Sequence, residues 1–183
     1  MKTNNLTKKQ KLLAAELDEI FSMFSLDYKQ VDKYDKEFRT TYLVITKDQI
    51  IRSQIIKWYT FVDEFLNIKL CRYFFGNKKS FIYLWKTKKF QNFNYYFIEE
   101  LSLMQKLRFV KSIVKIPKSI TSDIERLNYL RNGIAHSFFP NNLKKSKPIW
   151  KGKGVFVLEG IKLLKDDMDK ITAFVFKSLN NDY

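Results

Sequence analysis

Residues 46–77 read TKDQIIRSQIIKWYTFVDEFLNIKLCRYFFGN, and their rhythm decides the fold. Ile51, Ile55, Trp58, Val62, Phe65, Leu66, Lys69 and Tyr73 recur every three to four residues, the period of a helix with one apolar stripe. Thr46-Lys47-Asp48-Gln49 has the form of a capping box, in which the Thr hydroxyl and the Gln side chain close the first turn. It is expected to open the longest helix, Lys47 to Phe75, and Gly76-Asn77 to end it.

The same rhythm extends in both directions. Leu12, Leu13, Leu17, Ile20, Phe21 and Phe24 predict a helix over Thr7 to Met23, and a more polar one is expected over Asp27 to Tyr42. Ser80 to Trp85 reads as a short helix and Lys86 to Asn92 as a basic connection. Helical pattern resumes near Phe93 and runs to Val114, with a break at Ser102. Pro117 suits a helix start, because its missing N–H does no harm there, and that helix covers Lys118 to Ser137. Near the C-terminus, Pro148-Ile149-Trp150 and Val155-Phe156-Val157 flank Lys151-Gly152-Lys153-Gly154 and predict a small β-hairpin over 148–157. A two-stranded hairpin is marginal alone and must pack on helices. A final helix is expected from Glu159 to Leu179. The 183 residues thus read as one all-α helical-bundle domain with a hairpin insertion, residues 1–6 being flexible.

Composition narrows the class. Only 5 Gly and 3 Pro leave few turns, and 45% hydrophobic residues exclude a disordered chain. Cys71 stands alone in an apolar stretch, so it forms no internal disulfide and reads as a small buried hydrophobe. The polar start, Met1 to Gln10, lacks the apolar core of a secretory signal, and no apolar run reaches the ~20 residues of a membrane span. A cytoplasmic, membrane-free protein is expected. Lys and Arg number 34 against 19 Asp and Glu, a formal charge of +15. Such a balance favours a polyanionic partner, nucleic acid first. The abundance of Lys, Asn, Ile, Phe and Tyr also fits the compositional bias of an AT-rich genome.

Chemistry concentrates in one string, Arg131-Asn132-Gly133-Ile134-Ala135-His136, which holds the only histidine. Mapped at ~100° per residue, Leu127, Leu130 and Ile134 form an apolar stripe with Ile124 at its margin. Asn132 and His136 fall on the opposite side with Glu125 and Tyr129, and Arg131 lies beside the stripe. Arg131 and His136 then diverge by ~140°. One phosphate meets both only if the helix loosens at Gly133, or if a second subunit brings its own copy of the string alongside. Such a cleft supports RNA cleavage without a metal. A base takes the ribose 2′-hydroxyl proton, the oxygen attacks phosphorus, and the 5′ oxygen leaves. His136 suits the acid or base, Arg131 the phosphoryl charge, and Asn132 the orientation of the phosphate or the imidazole. The need for a 2′-hydroxyl selects RNA over DNA.

The string resembles the HEPN family, whose pattern is an Arg, a polar residue and a His spaced R-x4-6-H in a helical bundle; here it is Arg131-Asn132 with His136, after Leu127-Asn128-Tyr129-Leu130. The likeness is specific over Asn128 to Phe138 and looser before it. It implies a homodimer with paired motifs, and a metal-independent ribonuclease in toxin–antitoxin or antiphage defence, with an antitoxin or nucleotidyltransferase-type partner. Other members are inactive binders, so a dimeric RNA- or nucleotide-binding or protein-interaction module is the alternative. Two features depart from the pattern. Phe139 stands where some members carry a Tyr that a partner nucleotidyltransferase modifies. The acid that members place on an earlier helix has two candidates, Asp63 and Glu64, either of which reads equally well as a solvated carboxylate.

Beyond the string, Lys144, Lys145, Lys147, Lys151 and Lys153 form a basic run that suits an RNA backbone or a solvated face. Lys86, Lys88 and Lys89 are interleaved with Trp85, Phe90, Phe93 and Tyr95, which suits core packing more than a stacking surface. One His and one Cys far apart offer no metal-ligand spacing, no glycine-rich phosphate loop is present, and no cofactor is expected.

Overall fold

The helical rhythm produces one helix longer than expected. In the computed structural model, which describes residues 35–76, 81–135 and 148–180 together with Lys8 and Leu12, helix α1 runs unbroken over Lys36–Phe75. Thr46 lies inside it, buried and helical, so the capping-box string opens nothing. The separate helix expected up to Tyr42 merges with the next for the same reason. Leu43-Val44-Ile45 holds neither Gly nor Pro, and an existing helix gains one hydrogen bond for each residue added. The helix expected over Thr7 to Met23 lies outside the described residues, apart from Lys8 and Leu12, which are helical. Residues 1–6 lie outside them altogether. The chain forms two compact units, Met1–Lys47 and Asp48–Tyr183. The first contributes residues 36–47 to α1, where the Phe38 and Tyr42 rings lie 6.4 Å apart.

The second unit holds the remaining elements. Helix α2 covers Phe81–Leu84 and helix α3 covers Lys88–Phe93, followed by a π-helical turn, Asn94–Ile98. The basic connection expected over Lys86 to Asn92 is therefore helical from Lys88 onward. Its start is set by Thr87, whose hydroxyl accepts from the Phe90 N–H. Burial of Phe90 against Cys71 and Leu84 supplies the packing that its lysines do not. The chain breaks at Ser102 as expected. There Ser102 and Gln105 form a true capping box at the start of helix α4, Leu103–Ile113. Helix α5 spans Lys118–Ala135 directly after Pro117, whose carbonyl accepts from the Thr121 N–H.

The hairpin pairs β1, Ile149–Trp150, with β2, Lys153–Gly154, antiparallel, with Ile149 opposite Gly154 and Trp150 opposite Lys153. The second strand was expected at Val155-Phe156-Val157 and lies earlier. Lys151 and Gly152 both take positive φ, 45° and 85°, so two residues suffice for the turn and the chain pairs at once. Val155 and Phe156 fold under and are buried. Helix α6, Leu158–Asn180, follows. Gly160 sits so close to the β2 backbone that a Cβ there would overlap the Gly154 carbonyl oxygen. Only glycine permits this approach.

The core lies between α1, α4, α5 and α6. Ile55, Val62, Phe65, Leu66 and Leu70 of α1 meet Leu103, Leu107 and Val110 of α4 in one cluster. Ile124, Leu127, Leu130 and Ile134 of α5 and Leu164, Met168, Ile171 and Val175 of α6 complete it. Side chains of this size contribute roughly 1.5–3 kcal/mol each on full burial. Lys69, in the apolar rhythm of α1, is buried because its Nζ donates to the Ser178 carbonyl at 2.8 Å. Arg72 Nη1 donates to that of Leu179 at 3.1 Å. Two cations of α1 thus serve the carbonyl end of α6, where the helix dipole favours them. Cys71 is buried, and burial pushes its thiol up to about 11, so it behaves as a small apolar residue. Among the described residues no helix is long and apolar enough to cross a membrane.

Candidate functional site

Helix α5 carries two sets of polar groups, one near each end. The apolar stripe lies where the ideal helix places it, with Ile124, Leu127, Leu130 and Ile134 buried. Glu125, Tyr129 and Asn132 are exposed on the other side, and Arg131 is half-buried between the two. The helix continues through Gly133 to Ala135, so the backbone does not loosen at that glycine. His136, Lys144, Lys145, Lys147 and Phe139 lie outside the described residues.

Arg131 is held from two directions. Its guanidinium carbon lies 5.0 Å from the centre of the Tyr59 ring on α1, and its Nη1 donates to Asn132 Oδ1 at 3.1 Å. A guanidinium stacked on an aromatic face is stabilised by about 0.5–1 kcal/mol and stays charged. Among the described residues no carboxylate pairs with it. Partial burial raises the Tyr59 hydroxyl above its ordinary value; the Arg131 charge opposes the shift and the Asp63 charge adds to it. The ring therefore stays neutral, which suits a platform for a cation.

Asp63, one turn after Tyr59 on α1, is spoken for. Lys106 Nζ of α4 donates to both its oxygens at 2.9 and 3.0 Å, and Asn67 Nδ2 donates at 3.3 Å. Lys106 is itself buried, so each group answers the other's charge. Glu64 is exposed and turns away, lining a concavity with Asn67, Cys71 and Trp85. Of the two candidate acids, Asp63 is the one whose charge acts on the Tyr59 hydroxyl. Tyr59 escaped the sequence reading, although its place one turn before Asp63 and beside Trp58 on α1 was the signal that could have found it.

At the other end of α5, the hairpin lysines are engaged with acids. Lys151 Nζ meets Asp167 Oδ2 at 2.6 Å and Asp123 Oδ1 at 3.4 Å. Arg126 also pairs with Asp123, at 2.8 Å. Trp150, fully buried, donates its indole N–H to Asp167 at 2.9 Å, and Lys170 donates at 2.9 Å. Burial would raise the Asp167 carboxyl, but these hydrogen bonds outweigh it and hold the group at about 2. Lys153 pairs with Glu159 at 2.9 Å with both side chains exposed, a contact worth little.

A half-exposed guanidinium, braced by a ring and paired with an amide, can bind an anionic oxygen through its remaining donors. Among the described residues no group of three or more His, Cys, Asp or Glu side chains is gathered to hold a metal ion. No protein-family model, curated protein or solved structure matches the chain.

Proposed function

We propose that the chain is a metal-independent endoribonuclease of HEPN type that acts as a homodimer in the cytoplasm, in toxin–antitoxin or antiphage defence. The observation that carries this reading is the state of Arg131. It is a cation with no carboxylate partner among the described residues, stacked on Tyr59, bonded to Asn132 and five residues before His136 in the sequence. The net charge of +15 supports an RNA partner.

In this mechanism Arg131 binds the non-bridging oxygens of the scissile phosphate and stabilises the charge that builds on them. His136 takes the proton of the 2′-hydroxyl, the oxygen attacks phosphorus, and the bond to the 5′ oxygen breaks. A cyclic 2′,3′-phosphate and a 5′-hydroxyl result, the latter protonated by the second imidazole of the dimer. The uninterrupted α5 favours the two-subunit arrangement over a helix loosened at Gly133. Asn132 holds the guanidinium from its exposed side.

The test is cleavage of single-stranded RNA in EDTA. Wild type should cleave, Arg131→Ala should lose about 10²–10³-fold and His136→Ala about 10²–10⁴-fold. A pure wild-type protein that leaves RNA intact would overturn the proposal. Cleavage that survives His136→Ala would remove that residue from its role.

A further inference from the structure

The aromatic and basic residues between Trp85 and Glu99 do not all enter the core. Phe90 is buried and Phe93 half-buried, but Trp85, Tyr95 and Tyr96 remain 50%, 62% and 72% exposed. They line a groove of about 400 Å³ with Gln91, Asn92, Asn94 and Glu99. A second concavity of about 280 Å³ shares Trp85 and Asn94 with it and continues to Glu64, Asn67 and Cys71. Trp85 therefore forms a wall common to both.

This wall is fixed in place. The Trp85 ring meets buried Phe90 edge-on at 5.2 Å, and its carbonyl accepts from Gln91 Nε2 at 2.8 Å. The π-helical turn brings Tyr95 and Tyr96 edge to face, 4.8 Å apart, and turns of this kind recur at functional sites. Lys86, Lys88 and Lys89 stand exposed on the adjoining turn and helix, with Lys86 over the Tyr83 ring. In the second concavity Asn67 Oδ1 is buried and accepts no hydrogen bond.

We propose that this groove takes the unpaired bases of single-stranded RNA, a role that rests on the ribonuclease reading and names how its substrate is held. Bases stack on Trp85 and the tyrosines, because every base presents a π face. The three lysines meet the phosphates between them. The amide of Asn92 is at hand for base edges, as are the carbonyl oxygens of Gln91 and Asn94, whose nitrogens donate to the Trp85 carbonyl and to Glu99. The exposed Glu64 carboxylate at the end of the second concavity favours bases that carry an exocyclic amino group. A duplex keeps its bases stacked and enters poorly.

Binding of a fluorescently labelled oligoadenylate with 2′-O-methyl riboses, read by anisotropy, tests this apart from cleavage, since such a strand has no free 2′-hydroxyl. Trp85→Leu keeps an apolar side chain against Phe90 and should weaken binding about 5- to 100-fold. Trp85→Phe keeps the ring and should restore most of the affinity. Wild type should bind the same sequence less well as a duplex. Unchanged affinity in Trp85→Leu, or equal binding of duplex and single strand, would overturn the groove while leaving the cleavage site standing. A wild type that neither binds nor cleaves RNA would overturn both.

Discussion

The two ends of helix α5 handle charge in opposite ways. Near its start Asp123, Lys151, Asp167, Lys170 and Arg126 answer one another, and Trp150 adds its N–H to the same carboxylate. Near its end Arg131 rests on a neutral ring and an amide, with no carboxylate partner among the described residues. The first arrangement is closed and ties the hairpin to two helices. The second leaves donors over for something outside the chain. Cations paired with carboxylates hold a fold together, and one with no carboxylate partner among the described residues is where an anionic ligand is to be sought.

The largest test of the contrast is Trp150→Ala. It removes a fully buried indole and one hydrogen bond to Asp167, so denaturant melts should show a loss of about 3–5 kcal/mol. A loss under about 1 kcal/mol would mean that the hairpin is not anchored as described. The middle effect comes with acid. The Asp167 carboxyl is lowered from 3.8 to about 2 in the folded protein, so its contribution is complete above about pH 4 and lost as pH falls through 2. That contribution is on the order of 1–2 kcal/mol, reduced by the exposure of Lys170. In Asp167→Asn the stretch of the pH–stability curve between 4 and 2 should flatten. A curve identical to wild type would place the acid sensitivity elsewhere. The smallest stability effect should be that of Arg131→Ala, under about 1 kcal/mol, because a half-exposed cation–π contact contributes little. A drop comparable to Trp150→Ala would make Arg131 a fold residue and erase the contrast.

Two strings with the same capping chemistry show what a sequence reveals and what it hides. Ser102 to Gln105 closes a helix start, whereas Thr46 to Gln49 sits inside one. The chemistry of such a string satisfies free N–H groups wherever a helix begins, but nothing in the string makes the chain stop. At Ser102 the backbone turns extended, with φ −64° and ψ 156°, four residues after the π-helical turn ends. Periodicity did carry the stripe of Leu127, Leu130 and Ile134, and with it the exposure of Asn132 and the half-burial of Arg131. The all-α fold with its late hairpin was legible on the same grounds. Tyr59 was not, because its role depends on the packing of α1 against α5. The pairing of Lys151 was hidden likewise, since Asp123 and Asp167 come from helices on either side of the hairpin in sequence.

Cys71 has a practical consequence. The chain has a single thiol, buried and protonated at neutral pH, so maleimide and disulfide reagents find almost no target on the folded protein. A cysteine introduced at exposed Tyr129, on the face of α5 shared with Asn132, becomes the one reactive group. Its oxidation to a covalent pair, read on a non-reducing gel, reports whether two such faces meet in solution.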